Sequence, residues 1–211
     1  MKSLFFVVGM FITWSVRAQN YPFAQEFVPG TIILNDATQK KGLIKWFPSP
    51  YEKLRFKQDV EQEEKFDVTD LQGFSTDSLH FKTLTNLEVY GEEFTSRNRL
   101  SVLKQSFAQV IYTGKINIYY VLYYGYDARR GGITTFPNII FEKTRAERQE
   151  YAAFPVLTKM NEKKYEQAKQ NLYPFFSDFP PILEKLKKYH QQNNIISLVE
   201  FIKQIPDTTN E

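Results

Sequence analysis

The chain has 211 residues, 27 Lys and Arg against 24 Asp and Glu, and a formal net charge of +3. That near-balance argues against a dedicated nucleic-acid binder, which needs a clustered basic footprint. The chain contains no Cys at all, which excludes disulfides, thiol nucleophiles and Cys-ligated metal centres.

The first eighteen residues have the three-part layout of a cleavable export signal. Lys2 supplies the positive start, Leu4 to Trp14 form an apolar run interrupted by Gly9 and Thr13, and Val16 and Ala18 are small residues before a cut ahead of Gln19. A membrane-spanning helix needs roughly 20 apolar residues, and this run is about half that. No later stretch is long and apolar enough to form a spanning helix. The expectation is therefore an exported protein, periplasmic, outer-membrane-associated or extracellular. Without Lys2 and Arg17, 25 basic and 24 acidic side chains remain. The remaining length suits one domain, or one with a small appendage.

Residues 19–28 read as a lead-in. Thr31 to Leu34 and Gly42 to Phe47 flank the turn residues Asn35-Asp36-Ala37-Thr38 and predict a β-hairpin. Pro48-Ser49-Pro50 ends it. Leu54-Arg55-Phe56-Lys57 alternates as a half-buried strand does. The acidic stretch 58–65 reads as a solvated loop. Leu71 to Phe74, His80 to Leu84 and Leu87 to Tyr90 are further strand candidates. Leu100 to Tyr112 fits either helix or strand.

Lys115 to Tyr126 is apolar on both parities, which predicts a central or doubly covered strand. Ile133 to Glu142 reads as its partner, placed at an edge or bent at Pro137, since Pro cannot donate to a ladder. Thr144 to Glu147 has capping-box spacing and predicts a short helix. Asn161 to Phe179, the segment opened by Pro180-Pro181, and Ile195 to Ile202 predict three more helices. The fold class expected is α+β: an antiparallel β-sheet or partly open barrel over 19–143, then a helical region over 144–211 packed on it.

Chemistry is bounded mainly by what is missing. Two His residues, His80 and His190, cannot make a three-His zinc site. There is no Gly-x-Ser-x-Gly elbow, no Gly-x-Gly-x-x-Gly run after a strand and no Walker-type loop. No catalytic residue, metal site or cofactor is assigned. The best candidate for a binding surface is the tip after the long strand: Tyr123, Tyr124, Tyr126, Asp127, Arg129 and Arg130. Tyr and Arg anchor interfaces by joining apolar area to hydrogen bonding. The expected role is a non-catalytic binding or structural module of the cell envelope, with an envelope protein or a glycan as partner. The alternative is a carbohydrate-active hydrolase using paired carboxylates, for which Glu92-Glu93 and the run at 59–64 are the available clusters. A third class is an accessory protein whose aromatic surface meets an outer-membrane barrel.

Several segments resemble a family of uncharacterised exported proteins of Bacteroidota. They are Gly30-Thr31-Ile32-Ile33 with Lys41-Gly42-Leu43-Ile44, Asp70-Leu71-Gln72-Gly73-Phe74, Gly114 to Tyr119, and Phe175-Phe176-Ser177-Asp178-Phe179-Pro180. The resemblance implies an exported location and no particular activity. Asp77-Ser78-Leu79 and Asp207-Thr208-Thr209 also resemble the short sites at which such bacteria attach O-glycans.

Overall fold

The computed structural model describes residues 21–49, 52–58, 62–91, 100–127, 132–145, 148–156, 162–190 and 195–204. The proposed export signal lies outside them. The described chain is α+β, mostly one open, ten-stranded antiparallel sheet, with helices few and mainly C-terminal.

A four-residue helix, α1 (Pro22–Gln25), opens the described chain with Pro in its first turn. The lead-in reading of this segment is therefore corrected, because Tyr21 and Phe23 are core residues. The strands are β1 (Val28–Leu34), β2 (Gln39–Lys45), β3 (Leu54–Lys57), β4 (Glu63–Phe66), β5 (Leu71–Thr76), β6 (His80–Tyr90), β7 (Leu100–Tyr112), β8 (Asn117–Asp127), β9 (Gly132–Arg145) and β10 (Arg148–Pro155). Their spatial order is β10-β9-β8-β7-β6-β5-β1-β2-β3-β4.

Four strand positions separate β4 from β5, yet the chain joins them through a single 3-10 turn, Val68–Asp70. A span of five residue steps reaches at most about 18 Å, less than four flat inter-strand spacings of about 4.8 Å each. The N-terminal half therefore curls. The C-terminal half is drawn in as well. The buried Asn138 side chain on β9 accepts from Tyr90 N at 2.8 Å and donates to Tyr90 O at 3.0 Å, tying the end of β6 to β9 across two intervening strands.

Each half has its own core. Ile32, Ile44, Trp46, Leu54, Phe56, Leu71, Phe74, Phe81 and Phe107 pack with Tyr21 and Phe23 in the N-terminal half. Leu84, Leu87, Val89, Val121, Ile140 and Phe141 pack with the helices in the other. The hydrogen-bonded link between the halves is short: β5 pairs with β6 over Gly73 to Ser75 only.

Three helices close the described part of the chain: α2 (Glu162–Asn171), α3 (Pro180–Lys187) and α4 (Ile195–Lys203). Phe176 meets Phe141 at 5.2 Å between ring centroids, and Tyr165 meets Phe154 at 5.6 Å, so the helices seal the sheet's outer face. The expected helix 161–179 is shorter than its apolar stripe. It ends at Asn171, and Leu172 to Asp178 continue as turns that still bury Leu172, Phe175 and Phe176.

Other expectations are revised as well. Part of the acidic stretch 58–65 is strand β4, whose Glu63 makes a two-pronged ion pair with Arg55 on β3 at 2.6 and 2.7 Å. Thr144 and Arg145 end β9 instead of opening a helix, and the sheet runs on through β10 to Pro155. β9 is not an edge strand, since β8 and β10 flank it. Pro137 is tolerated because its carbonyl accepts from Val156 N, so its donor-less nitrogen faces the spent end of the β10 ladder and not β8.

Candidate functional site

Two polar assemblies stand out. The first is built on Glu142, 2% exposed, in β9. Asn117 and Tyr151 are its direct cross-strand partners on β8 and β10. Its carboxylate accepts from Asn117 Nδ2 at 2.8 Å, from Tyr151 OH at 3.0 Å and from the Tyr119 hydroxyl. Lys82 Nζ reaches it from β6 at 3.3 Å. Burial alone pushes the carboxyl's pKa up. The Tyr119 and Asn117 hydrogen bonds, the Lys82 charge and the Tyr151 hydrogen bond outweigh it, and the net pKa lies below the usual carboxylate value. Burial and the Glu142 carboxylate raise both phenols, Tyr119 and Tyr151. The assembly is a satisfied network that fixes four strands. Glu142 is the sole buried carboxylate among the described residues; Glu88 and Glu150 line a separate, more open groove beside Tyr90 and Tyr151. Of the carboxylates named for a paired-carboxylate hydrolase, Glu92-Glu93, Asp59 and Glu61 lie outside the described residues; Glu63 and Glu64 are ion-paired on the β3–β4 edge.

The second assembly is a crevice on the other half. It is lined by Tyr21, Trp46, Phe81, Phe107, Tyr120 and Tyr124, with Ser49 and Ser106 among them. Sequence and register explain how it forms. Gln109 on β7 pairs with Tyr120 on β8, which brings Tyr120 and its period-2 neighbour Tyr124 onto the face carrying Phe81 and Phe107. The backbone N–H of Trp46, just after β2, donates to Phe23 O at 2.9 Å, which holds the indole beneath α1. The Tyr21 hydroxyl donates to Gln109 Oε1 at 2.9 Å.

Among the described residues, no charged side chain lines this crevice. Burial pushes Tyr120 up to about 12, with the Tyr124 phenol adding to it, and burial raises Tyr124 too. Both phenols therefore stay neutral donors over the physiological range. Trp46 is 5% exposed, and its Nε1 is buried with no hydrogen-bond partner among the described residues. A buried donor without a partner costs about 1–3 kcal/mol. The crevice leaves about 20 Å³ for the centre of a water-sized group, enough to hold about one.

The predicted tip residues are divided by this geometry. Tyr124 lines the crevice, with its ring 6.3 Å from that of Phe47. Tyr123 turns to the opposite face and packs near Phe136 at 6.3 Å. Tyr126 and Asp127 lie in β8, opposite Ile133 and Gly132. Their side chains, and Arg129 and Arg130, lie outside the described residues. Sequence reading missed Tyr21, Trp46 and Tyr120. The one available signal was the shared parity of Tyr120 and Tyr124. His80 and His190 are both exposed. Among the described residues, no group of three or more His, Asp or Glu is placed to hold a metal, and no helix is long and apolar enough to cross a membrane. Ser78 of the first glycan-like triplet is exposed in the β5–β6 turn; 207–209 lie outside the described residues.

The chain matches no protein-family model, no curated protein and no solved structure.

Proposed function

We propose that the protein is an exported, non-catalytic binding module of the cell envelope, and that its binding position is the aromatic crevice around Trp46. The observation that carries this reading is the crevice's wall of rings and hydroxyls around the buried Trp46, with no charged side chain among the described residues that line it. Ligand sites commonly combine apolar, aromatic walls with a few polar groups that fix orientation. A neutral ring-bearing ligand suits this lining, and the described residues offer an ionised ligand no counter-charge there. The leader-like residues 1–18 and the resemblance to exported Bacteroidota proteins support the location. The Glu142 network then serves as scaffold.

Trp14 and Trp46 are the two tryptophans of the chain. A Trp14→Phe chain therefore reports on Trp46 alone, whether or not residues 1–18 are removed. Its emission is titrated with neutral oligosaccharides, neutral aromatic compounds, and anionic and cationic analogues of each. A saturable change with a neutral ligand, lost in Tyr124→Ala, supports the reading. No change with any of them, or a response confined to charged ligands, refutes it.

A further inference from the structure

The strands of the N-terminal half carry a second surface, on the reverse of the face that holds Trp46. Ile44, Leu54 and Phe56 point into the core, so Lys45, Arg55 and Lys57 point outward. The ladder sets Lys45 on β2 directly opposite Arg55 on β3, and Arg55 directly opposite Lys65 on β4. Lys41, two residues before Leu43, shares this outer face. Among the described residues, Glu63 is the one acid on this face of β1 to β4, and Arg55 holds it. Lys41 and Lys45 make no ion pair among the described residues. Like charges directly opposite one another destabilise a sheet, so strand pairing does not account for the row. Edge protection accounts for charge on β4, but not for Lys45, because β2 lies between β1 and β3. The chain as a whole is nearly balanced, 27 basic against 24 acidic side chains, yet cations dominate here.

We infer that this outer face binds a linear anionic polysaccharide, whose chain crosses the strands along Lys45, Arg55 and Lys65. The assignment stands apart from the crevice and holds whether or not the crevice takes a ligand. Three observations favour that occupant. The core lies inside the curl of these strands, so the outer face is convex. A flexible chain follows such a curve across the strands, whereas a flat bilayer meets it along a line only. Phe27 is the aromatic ring at this face among the described residues, and Arg55 and Lys57 lie over it at 5.3 and 4.7 Å. Cations thus occupy the place where a single-stranded nucleic acid would stack a base. Protein interfaces deplete Lys and bury aromatic anchors at their centre. This face is rich in Lys, and Leu43, 38% exposed, is the large exposed hydrophobic on it. Lys ammonium groups are flexible point charges, suited to the repeated carboxylates or phosphates of a chain.

Calorimetry on the full chain at low salt compares four probes: a galacturonic acid oligomer, its neutral methyl ester, single-stranded DNA, and vesicles of phosphatidylglycerol with phosphatidylcholine. The acid oligomer binds saturably and more tightly than the other three, and added salt weakens it. Lys45→Gln combined with Lys65→Gln weakens it about tenfold, the worth of two exposed charge contacts. The same two substitutions relieve like-charge contacts, so the melting temperature holds or rises, which separates lost binding from lost folding. Lys104→Gln combined with Lys188→Gln makes the same change of net charge at exposed positions on β7 and just after α3. That pair leaves binding unchanged. DNA or vesicles binding as tightly as the oligomer, an equal loss from both pairs of substitutions, or no binding of the oligomer overturns the assignment. A lower melting temperature in the Lys45 and Lys65 chain overturns the reading of the row as a cost to the fold.

Discussion

Replacing Glu142 by Gln tests how the curled sheet is held. The carboxylate collects donors from three neighbours, Asn117, Tyr119 and Tyr151, with Lys82 close by. Gln keeps the shape but offers one oxygen and one N–H₂; with that oxygen facing Asn117 and Tyr119, which share Oε2, Tyr151 must turn or lose its acceptor. Tyr151 can turn, because Gln149 Oε1 already lies 3.0 Å from its hydroxyl. Hydrogen bonds to a charged group contribute about 1.5–3 kcal/mol and neutral ones about 0.5–1.5. Converting two bonds and losing one therefore costs about 3 kcal/mol. Lys82 adds little to this, because its side chain is 41% exposed and solvent screens the pair. For a chain of this size, that cost lowers the melting temperature by about 6–12 °C. The pH dependence has a definite sign. The folded pKa of Glu142 lies below the unfolded one, so its contribution is full above the unfolded carboxyl value, about pH 4.3. That contribution disappears as pH falls through the folded value. Thermal unfolding followed by circular dichroism from pH 7 to pH 3 should show the gap between parent and Glu142→Gln narrowing on acidification. A gap under about 1 °C at pH 7, or one that widens towards acid, would refute the account.

Gly73→Ala should destabilise by about 1–3 kcal/mol, since overpacking costs that much and the added Cβ would lie 2.1 Å from Phe81 O within the short β5–β6 link; urea unfolding measures it. Ala37→Gly should stabilise by about 0.5–1 kcal/mol, because Ala37 sits at φ 66° in the β1–β2 turn, where a Cβ is unfavourable; the same unfolding curve checks it. Asn138→Ala removes three buried hydrogen bonds, to Tyr90 N, Tyr90 O and Phe136 O. At about 1 kcal/mol each it should cost about 3 kcal/mol, and it should speed amide exchange at the end of β6.

The elements that announced themselves in the sequence are those with one buried face or a clear turn. The β1–β2 hairpin and β3 are of this kind, as is β8, whose two apolar parities match its place between β7 and β9. β7 was ambiguous for a physical reason. Ala108 packs in one core and its neighbour Phe107 in the other, so both faces are covered there and period-2 alternation is erased. Similarly, β6 spans a change of phase at Asn86, φ 55°, which made one strand read as two. β4 hid behind its charge, as edge strands protected by ion pairs do. The capping-box spacing at 144–147 masked the β9–β10 hairpin because local propensity yields to sheet pairing. The crevice was the least legible feature. Tyr21, Trp46 and Tyr120 meet only through the curl of the sheet, and an unpartnered indole N–H leaves no trace in a sequence.

The most direct test of the crevice is the indole N–H resonance of Trp46. In a ¹⁵N-labelled Trp14→Phe chain, the account predicts one indole cross-peak that moves saturably on titration with a neutral ring-bearing ligand, together with resonances of Tyr120 and Tyr124. An indole peak that stays fixed while that ligand binds elsewhere, or while no ligand of any class moves it, would contradict the account.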